Sequence, residues 1–309
     1  MGRWFLTVLV VACAVALVGA GVIVVTSPTL LGARAPAPAT PSAAPAEPAA
    51  PASSGTVAPS STASSAAAPS PSQAQEAVDA ASATNGRRGV KLAVAVLDRS
   101  TGTLAFNAQG DDVENSASLA KLFTIVDMFT HSRSQVTESD LALARRALTM
   151  SDDQAMNGLW TRFGGSAGVQ RVIDLLGLPD SAVPPDPSQW GQVQVSARDM
   201  TTLFAFVYRG LAPADRDFVL DNLTAATPNG RDGFNQSFGL LEPTTRGPAA
   251  AKQGWSCCLQ GGIDLHSAGV LDREGRYVVA LLSHQPVGYE AGRAVLNDAA
   301  HAARTALAG

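Results

Sequence analysis

The rhythm of apolar and polar positions changes several times along this chain. From Trp4 to Val25 apolar residues run without a charge, and such a run, at about 1.5 Å per helical residue, reaches about 30 Å and can cross a bilayer. From Pro36 to about Gln75 the residues are almost all Ala, Pro, Ser and Thr, with Glu47 as the one charge. A short helix is then expected around Gln73 to Ala83. Val90, Leu92, Val94 and Val96 alternate with Lys91, Ala93, Ala95 and Leu97, and Thr103 to Phe106 follows a Thr101-Gly102 turn, which reads as a hairpin. From Leu119 to about Gly210 the period becomes helical, over Leu119–Phe129, Leu141–Leu148, Gln154–Phe163, Val169–Leu175 and Ala197–Tyr208. Strand patterns return at Ala250–Trp255, Ile263–Leu271 and Tyr277–Leu282, and an amphipathic helix closes the chain from Tyr289 to about Leu307. The simplest assembly is an α/β (α+β) domain in which the terminal strands form one antiparallel sheet with a helical lobe inserted between them.

The 309 residues therefore divide into three parts. Residues 1–27 read as a signal-anchor or signal peptide, because Arg3 and the amino terminus precede the apolar run and place the rest outside the cytoplasm. An uncleaved anchor is favoured over a signal cut at Ala33-Arg34-Ala35, since Pro36 would follow the cut. Val10-Val11-Ala12-Cys13 superficially matches a lipoprotein cleavage box, but few apolar residues precede it. Residues 28–75 hold ten of the nineteen prolines and too little apolar bulk to fold, so they read as a disordered linker. Residues 76–309 are long enough to bury a core as one domain.

Charge and cysteine content narrow the chemistry. A net charge of -4 without basic blocks gives no footprint for nucleic acid. The three cysteines, Cys13, Cys257 and Cys258, fit neither a disulfide framework nor a zinc site, so no metal and no cofactor is expected. In an exported chain Cys257 and Cys258 could pair only with each other outside the membrane. His266, on a strand, is expected to be a hydrogen-bonded packing residue, and His131, His284 and His301 show no partner spacing. The 22 basic residues are 19 Arg and only three Lys, at 91, 121 and 252.

Two of those lysines sit in reactive patterns. Ser118-Leu119-Ala120-Lys121 opens a helix and puts serine and lysine on one face. A lysine whose pKa is lowered can take the proton of such a hydroxyl, and a helix amino terminus offers N–H groups to an oxyanion. The plain alternative is an N-cap serine with a solvated lysine. Ser151-Asp152-Asp153, at a loop-to-helix junction, could equally be an ordinary N-cap. Lys252-Gln253-Gly254-Trp255 enters a strand, where the alternative is an edge lysine and a bulge glycine. Three such elements in this order make coincidence a poor explanation.

The set resembles the penicillin-recognising serine hydrolases, class A β-lactamases and D,D-peptidases, with their Ser-x-x-Lys, Ser-Asp-Asn and Lys-Thr-Gly signatures. It is most similar to compact β-lactamase-like hydrolases of actinobacteria, through Leu159-Trp160, Trp190-Gly191 before Ser196-Ala197, a Gln236-Ser237-Phe238-Gly239 strand, and Lys252-Gln253-Gly254-Trp255. The resemblance implies a β-lactamase/transpeptidase-like fold and gives Ser118 the role of nucleophile and Lys121 that of base. Ser151 would relay the proton to the leaving nitrogen, and Lys252 would anchor a substrate carboxylate. The N–H groups of Ser118 and Trp255 would form the oxyanion hole, with Asp153, Gln253, Gly254 and Trp255 on the substrate and Asn157 bracing the loop below.

The departures from that pattern are specific. Asp153 replaces an amide donor by an acceptor-only carboxylate, which would repel an anionic substrate or pair with Lys121. Gln253 replaces a threonine. The segment between Lys121 and Ser151 is short, so one wall of the usual cleft should be missing. No glutamate occurs between Ser139 and Leu241, where class A β-lactamases keep their deacylation base, and Asp180 and Asp186 are poor substitutes. The expectation is an exported serine hydrolase acting through an acyl-enzyme on a cell-wall peptide (peptidoglycan) or related amide and poor at β-lactam turnover, held at the membrane or secreted. The alternative is a catalytically silent module that binds peptidoglycan or a partner protein. Arginine cannot act as the base, so a lysine kept at 121 in so arginine-rich a chain favours the catalytic reading.

Overall fold

The computed structural model describes residues 72–308 apart from Thr245, Arg246, Gln260 and Val287. The expected membrane segment and nearly all of the linker lie outside the described residues, and among the latter no helix is long and apolar enough to cross a membrane.

The chain enters through α1 (Gln73–Ser82), capped by Ser72, whose hydroxyl accepts from Gln75 N. This helix starts at Gln73, as the sequence pattern predicts. The hairpin β1 (Lys91–Asp98) and β2 (Thr103–Phe106) follows as the alternation requires. The short strand β3 (Glu114–Asn115) leads through a 3-10 turn at Ala117–Leu119 into α2 (Ala120–Thr130). The lobe continues with α3 (Glu138–Thr149), α4 (Asp153–Arg162), α5 (Ser166–Leu176), the short strand β4 (Gln194–Val195), α6 (Ala197–Arg209) and α7 (Pro213–Thr224). The strands β5 (Ala250–Leu259), β6 (Gly262–Val270) and β7 (Tyr277–Gln285) and the helix α8 (Tyr289–Ala308) complete the domain.

The five long strands form one antiparallel sheet in the order β2-β1-β7-β6-β5, so the first strand sits beside the last and the lobe is an insertion between β2 and β5. Alternation along β1 divides the core. Leu92, Val94 and Val96 pack with Ala77, Val78, Leu296 and Ala300 of α1 and α8. Ala93 and Ala95 face the lobe together with Ala268 and Ala280, against Phe123 and Phe204. Small residues on that face let α6 lie close to the sheet.

Two expectations are corrected. The helix α7 was not anticipated: its buried residues Asp215, Val219, Leu220, Asn222 and Leu223 form no clean apolar stripe. Gln236–Gly239 is not a strand but an irregular loop running into a 3-10 turn at Gly239–Leu241.

Candidate active site

The serine of the first pattern does not cap its helix. Ser118 lies inside the 3-10 turn before α2, makes no cap bond, and is buried at 5% exposure. Lys121, one turn on, is fully buried and its Nζ donates to Ser118 Oγ at 2.6 Å. Ala117, just before the serine, has φ +46°, a left-handed value that costs a non-glycine residue energy and persists where surroundings impose it. Part of the imposition comes from β5. A Cβ on Gly254 would lie 2.9 Å from Ser116 O and 3.4 Å from Ala117 Cβ, so only glycine lets the strand approach the nucleophile turn this closely.

The second pattern separates its two candidate caps. Asp152 is the N-cap of α4, accepting from Gln154 N and Ala155 N, and Arg146 pairs with its other oxygen. Ser151 is thereby released from capping. It has φ +51° and is held by neighbours whose carbonyls are already engaged: Thr227 N and Gln236 Nε2 donate to Thr149 O, and Arg231 N donates to Met150 O. Its Oγ accepts from Lys252 Nζ at 2.9 Å. Lys252, buried on the edge strand β5, also donates to Gln253 O at 2.7 Å.

Burial dominates the electrostatics of both lysines. Desolvation lowers Lys121 from its ordinary 10.5 to about 8, against the opposing pull of Asp153. Lys252 is pushed well below the usual lysine value, first by burial and then by the charge of Lys121. Two serine–lysine pairs on the lobe and the sheet edge thus have their amines biased toward the neutral, proton-accepting form.

A model of the beta-lactamase enzyme family matches residues 128–307, which include Ser151 and Lys252. The chain belongs to that family. "Putative lipoprotein LppW" of Mycobacterium tuberculosis (strain CDC 1551 / Oshkosh) is 36% identical over 218 residues, 68% of this chain and 68% of its own length. The protein of the same name from Mycobacterium bovis matches equally. In fold, this beta-lactamase family member is similar to the TLA-3 extended-spectrum beta-lactamase (TM-score 0.63, 12% identity, 76% of this chain and all of that one). It is also similar to PBP-A (TM-score 0.60, 20% identity, 75% and 95%). A beta-lactamase from Chitinophaga pinensis DSM 2588 superposes with TM-score 0.57 at 16% identity, over 74% and 97%.

In this family member the cleft above Ser118 has a volume of about 500 Å³ and is lined on one side by Asp153 and Asn157, on another by Ser188–Gln192, and on the third by Trp255, Ser256 and Cys257. Asp153 is the one carboxylate among these lining residues. Its side chain is 63% exposed and its Oδ1 lies 2.8 Å from Lys121 Nζ, the pairing that was one of the two outcomes expected of it. It also lines an adjoining hollow with Ser151, Arg231 and Asp232. Gly254 and Trp255 lie on the strand that borders the cleft, and the Trp255 ring stacks on Phe234 at 4.7 Å with its Nε1 donating to Asp232.

Gln253 is misplaced by the sequence reading. Its side chain is 1% exposed and donates through Nε2 to Gln236 O and Phe238 O, away from the cleft, so it cannot contact a substrate. Adjacent residues of a strand face opposite sides, and Lys252 already takes the cleft side. Gln253 ties β5 to the 236–238 loop, which in turn holds Ser151.

Asp180 and Asp186 are engaged elsewhere: Asp180 accepts from Arg198 and Ser196, and Asp186 closes its own turn with Ser188. Asn157 Oδ1 accepts from Trp190 Nε1 at 2.8 Å, which is the bracing expected of it. The sequence did not disclose that the Trp190 ring lies over Lys121, 4.2 Å from Nζ to the ring centroid, and helps exclude water from the amine. His266 is a packing residue as expected: its Nε2 donates to Asn115 O and its Nδ1 accepts from Ser283 N. His284 does have a partner, Asp264 Oδ1 at 2.7 Å, set by the β6–β7 register. With Glu114 these two bring ligand-type atoms within 4.8 Å of one another, but Lys91 already pairs with Glu114. Cys257 and Cys258 form a disulfide.

Proposed function

We propose that the protein is an exported serine hydrolase that opens an amide bond of a cell-wall peptide or a related acyl substrate through an acyl-enzyme on Ser118. The observation that carries this reading is the 2.6 Å contact between the buried Lys121 amine and Ser118 Oγ, with a pKa near 8 for the amine. In its neutral form Lys121 takes the Ser118 proton as Oγ attacks the carbonyl carbon. The tetrahedral oxyanion is received by the main-chain N–H groups of Ser118 and Trp255. Ser151, whose Oγ accepts from Lys252 Nζ at 2.9 Å, passes a proton to the departing nitrogen.

Hydrolysis of the acyl-enzyme is slow in this reading. Deacylation needs a base on the attacking water, and the one carboxylate lining the cleft, Asp153, is spent on Lys121. A penicillin therefore remains attached. The Asp153–Lys121 pair also supports a second reading, a silent binding module in which the amine stays protonated.

The name of the LppW relatives supports membrane attachment, either through a lipid on Cys13 or through the apolar run Trp4–Val25. A labelled penicillin distinguishes catalysis from silence. An adduct that disappears in Ser118→Ala supports the hydrolase, and no adduct, or one that survives this substitution, refutes it.

A further inference from the structure

The strand that carries Trp255 ends in an irregularity. Between Cys257 and Leu259 the β5–β6 register shifts, and Cys258 adopts φ +75°, a conformation that glycine favours and cysteine does not. The disulfide between these neighbouring residues closes a small ring around their own peptide bond. Both side chains are exposed, and Cys257 lines the same cleft as Ser118. One residue before the ring, Ser256 Oγ donates to Asp264 Oδ2, and two residues before it stands Trp255.

We infer that Cys257–Cys258 is a thiol-exchange site for a low-molecular-weight thiol, and that the oxidised pair sets the geometry of the Trp255 main chain at the cleft. A thiolate attacks one sulfur, forming a mixed disulfide with it while the other sulfur leaves as a thiolate and takes a proton from water. A second thiolate attacks the mixed disulfide, so two thiols become one small disulfide and the protein pair becomes two thiols. With the ring open, nothing holds Cys258 at its left-handed φ, and the end of β5 relaxes. Trp255 and Ser256 are paired with Leu265 and Asp264 of β6 and held through their side chains by Phe234, Asp232 and Asp264, so the relaxation reaches them as a displacement passed back along β5 from the register shift. The effect on acylation rests on the reading of Trp255 as an oxyanion donor; the exchange and the relaxation do not.

The test uses the full chain in air and after incubation with glutathione. Alkylation and intact mass should count two more thiols after reduction than before it, those of Cys257 and Cys258, whatever the state of Cys13. Hydrogen exchange over 254–259 should speed up on reduction, and labelling of Ser118 by a fluorescent penicillin should slow on the order of 10²-fold, as expected when an oxyanion donor is displaced. Cys257→Ser with Cys258→Ser should behave as the reduced form and ignore the thiol. No gain of thiols on reduction, or unchanged exchange across 254–259 with the gain of two confirmed, would overturn the inference. Altered exchange with no Ser118 labelling in either state would leave the switch standing and remove the hydrolase reading instead.

Discussion

Asp153 Oδ1 lies 2.8 Å from Lys121 Nζ, and the same lysine donates to Ser118 Oγ at 2.6 Å. One amine is therefore shared between the group that would hold its proton and the hydroxyl it must deprotonate. Burial and Asp153 pull its pKa in opposite directions, and burial prevails.

The acylation rate should follow the neutral fraction of Lys121. Its pKa is lowered to about 8, so the rate should rise about tenfold per pH unit below that value and level off above it. A stopped-flow series with a labelled penicillin measures this. A flat profile between pH 6 and pH 9 would remove Lys121 from the role of base.

Asp153→Asn deletes the strongest influence that raises the Lys121 pKa. The midpoint of the same profile should move below 8 and the rate near neutral pH should rise several-fold. An unmoved midpoint would mean that the ion pair does not govern the amine.

Lys252 trades stability for its position. Its pKa in the folded protein is depressed, so the unfolded chain binds more protons across the window below 10.5, and the wild-type protein gains stability as pH rises through that window. Lys252→Met should therefore raise Tm near neutral pH by about 2–4 °C, corresponding to about 1 kcal/mol, while abolishing labelling of Ser118. The gain should shrink as pH approaches 10.5. Calorimetry at two pH values checks both signs, and a lower Tm at neutral pH would show that the Ser151 and Gln253 contacts outweigh burial.

Gly254→Ala places a methyl group 2.9 Å from Ser116 O. The nucleophile turn must shift, and acylation should fall by about 10²-fold, because a displacement of this kind near 1 Å misaligns the reacting atoms. The fold should survive, since overpacking of this size costs about 1–3 kcal/mol. Labelling rate and Tm measured on one preparation separate the two effects.

The residues of the serine–lysine pairs were legible because short motifs carry them: Ser118 and Lys121 lie one turn apart, and Ser151 and Lys252 each open a motif of their own, while the contact between those two, 101 positions apart, depends on the fold. The sheet was legible because its strands alternate and the lobe has a helical period. The orientation of Gln253 was also available from alternation, but its resemblance to a substrate-binding threonine led away from it. Other features depend on partners remote in sequence. Trp190 reaches Lys121 from a turn 69 positions later in the chain, and His284 meets Asp264 only through the β6–β7 register. The helix α7 is not legible in the sequence because Pro213 and its buried Asp215 and Asn222 interrupt the apolar pattern that marks the other helices.

The most direct measurement is time-resolved intact mass spectrometry of the protein with excess penicillin, followed by peptide mapping. We expect a single adduct of the full penicillin mass on the peptide containing Ser118, accumulating to one per chain, persisting after the free drug is removed, and absent from Ser118→Ala. No adduct, an adduct on another residue, or rapid release of hydrolysed penicillin would contradict a Ser118 acyl-enzyme that lacks an efficient deacylation base.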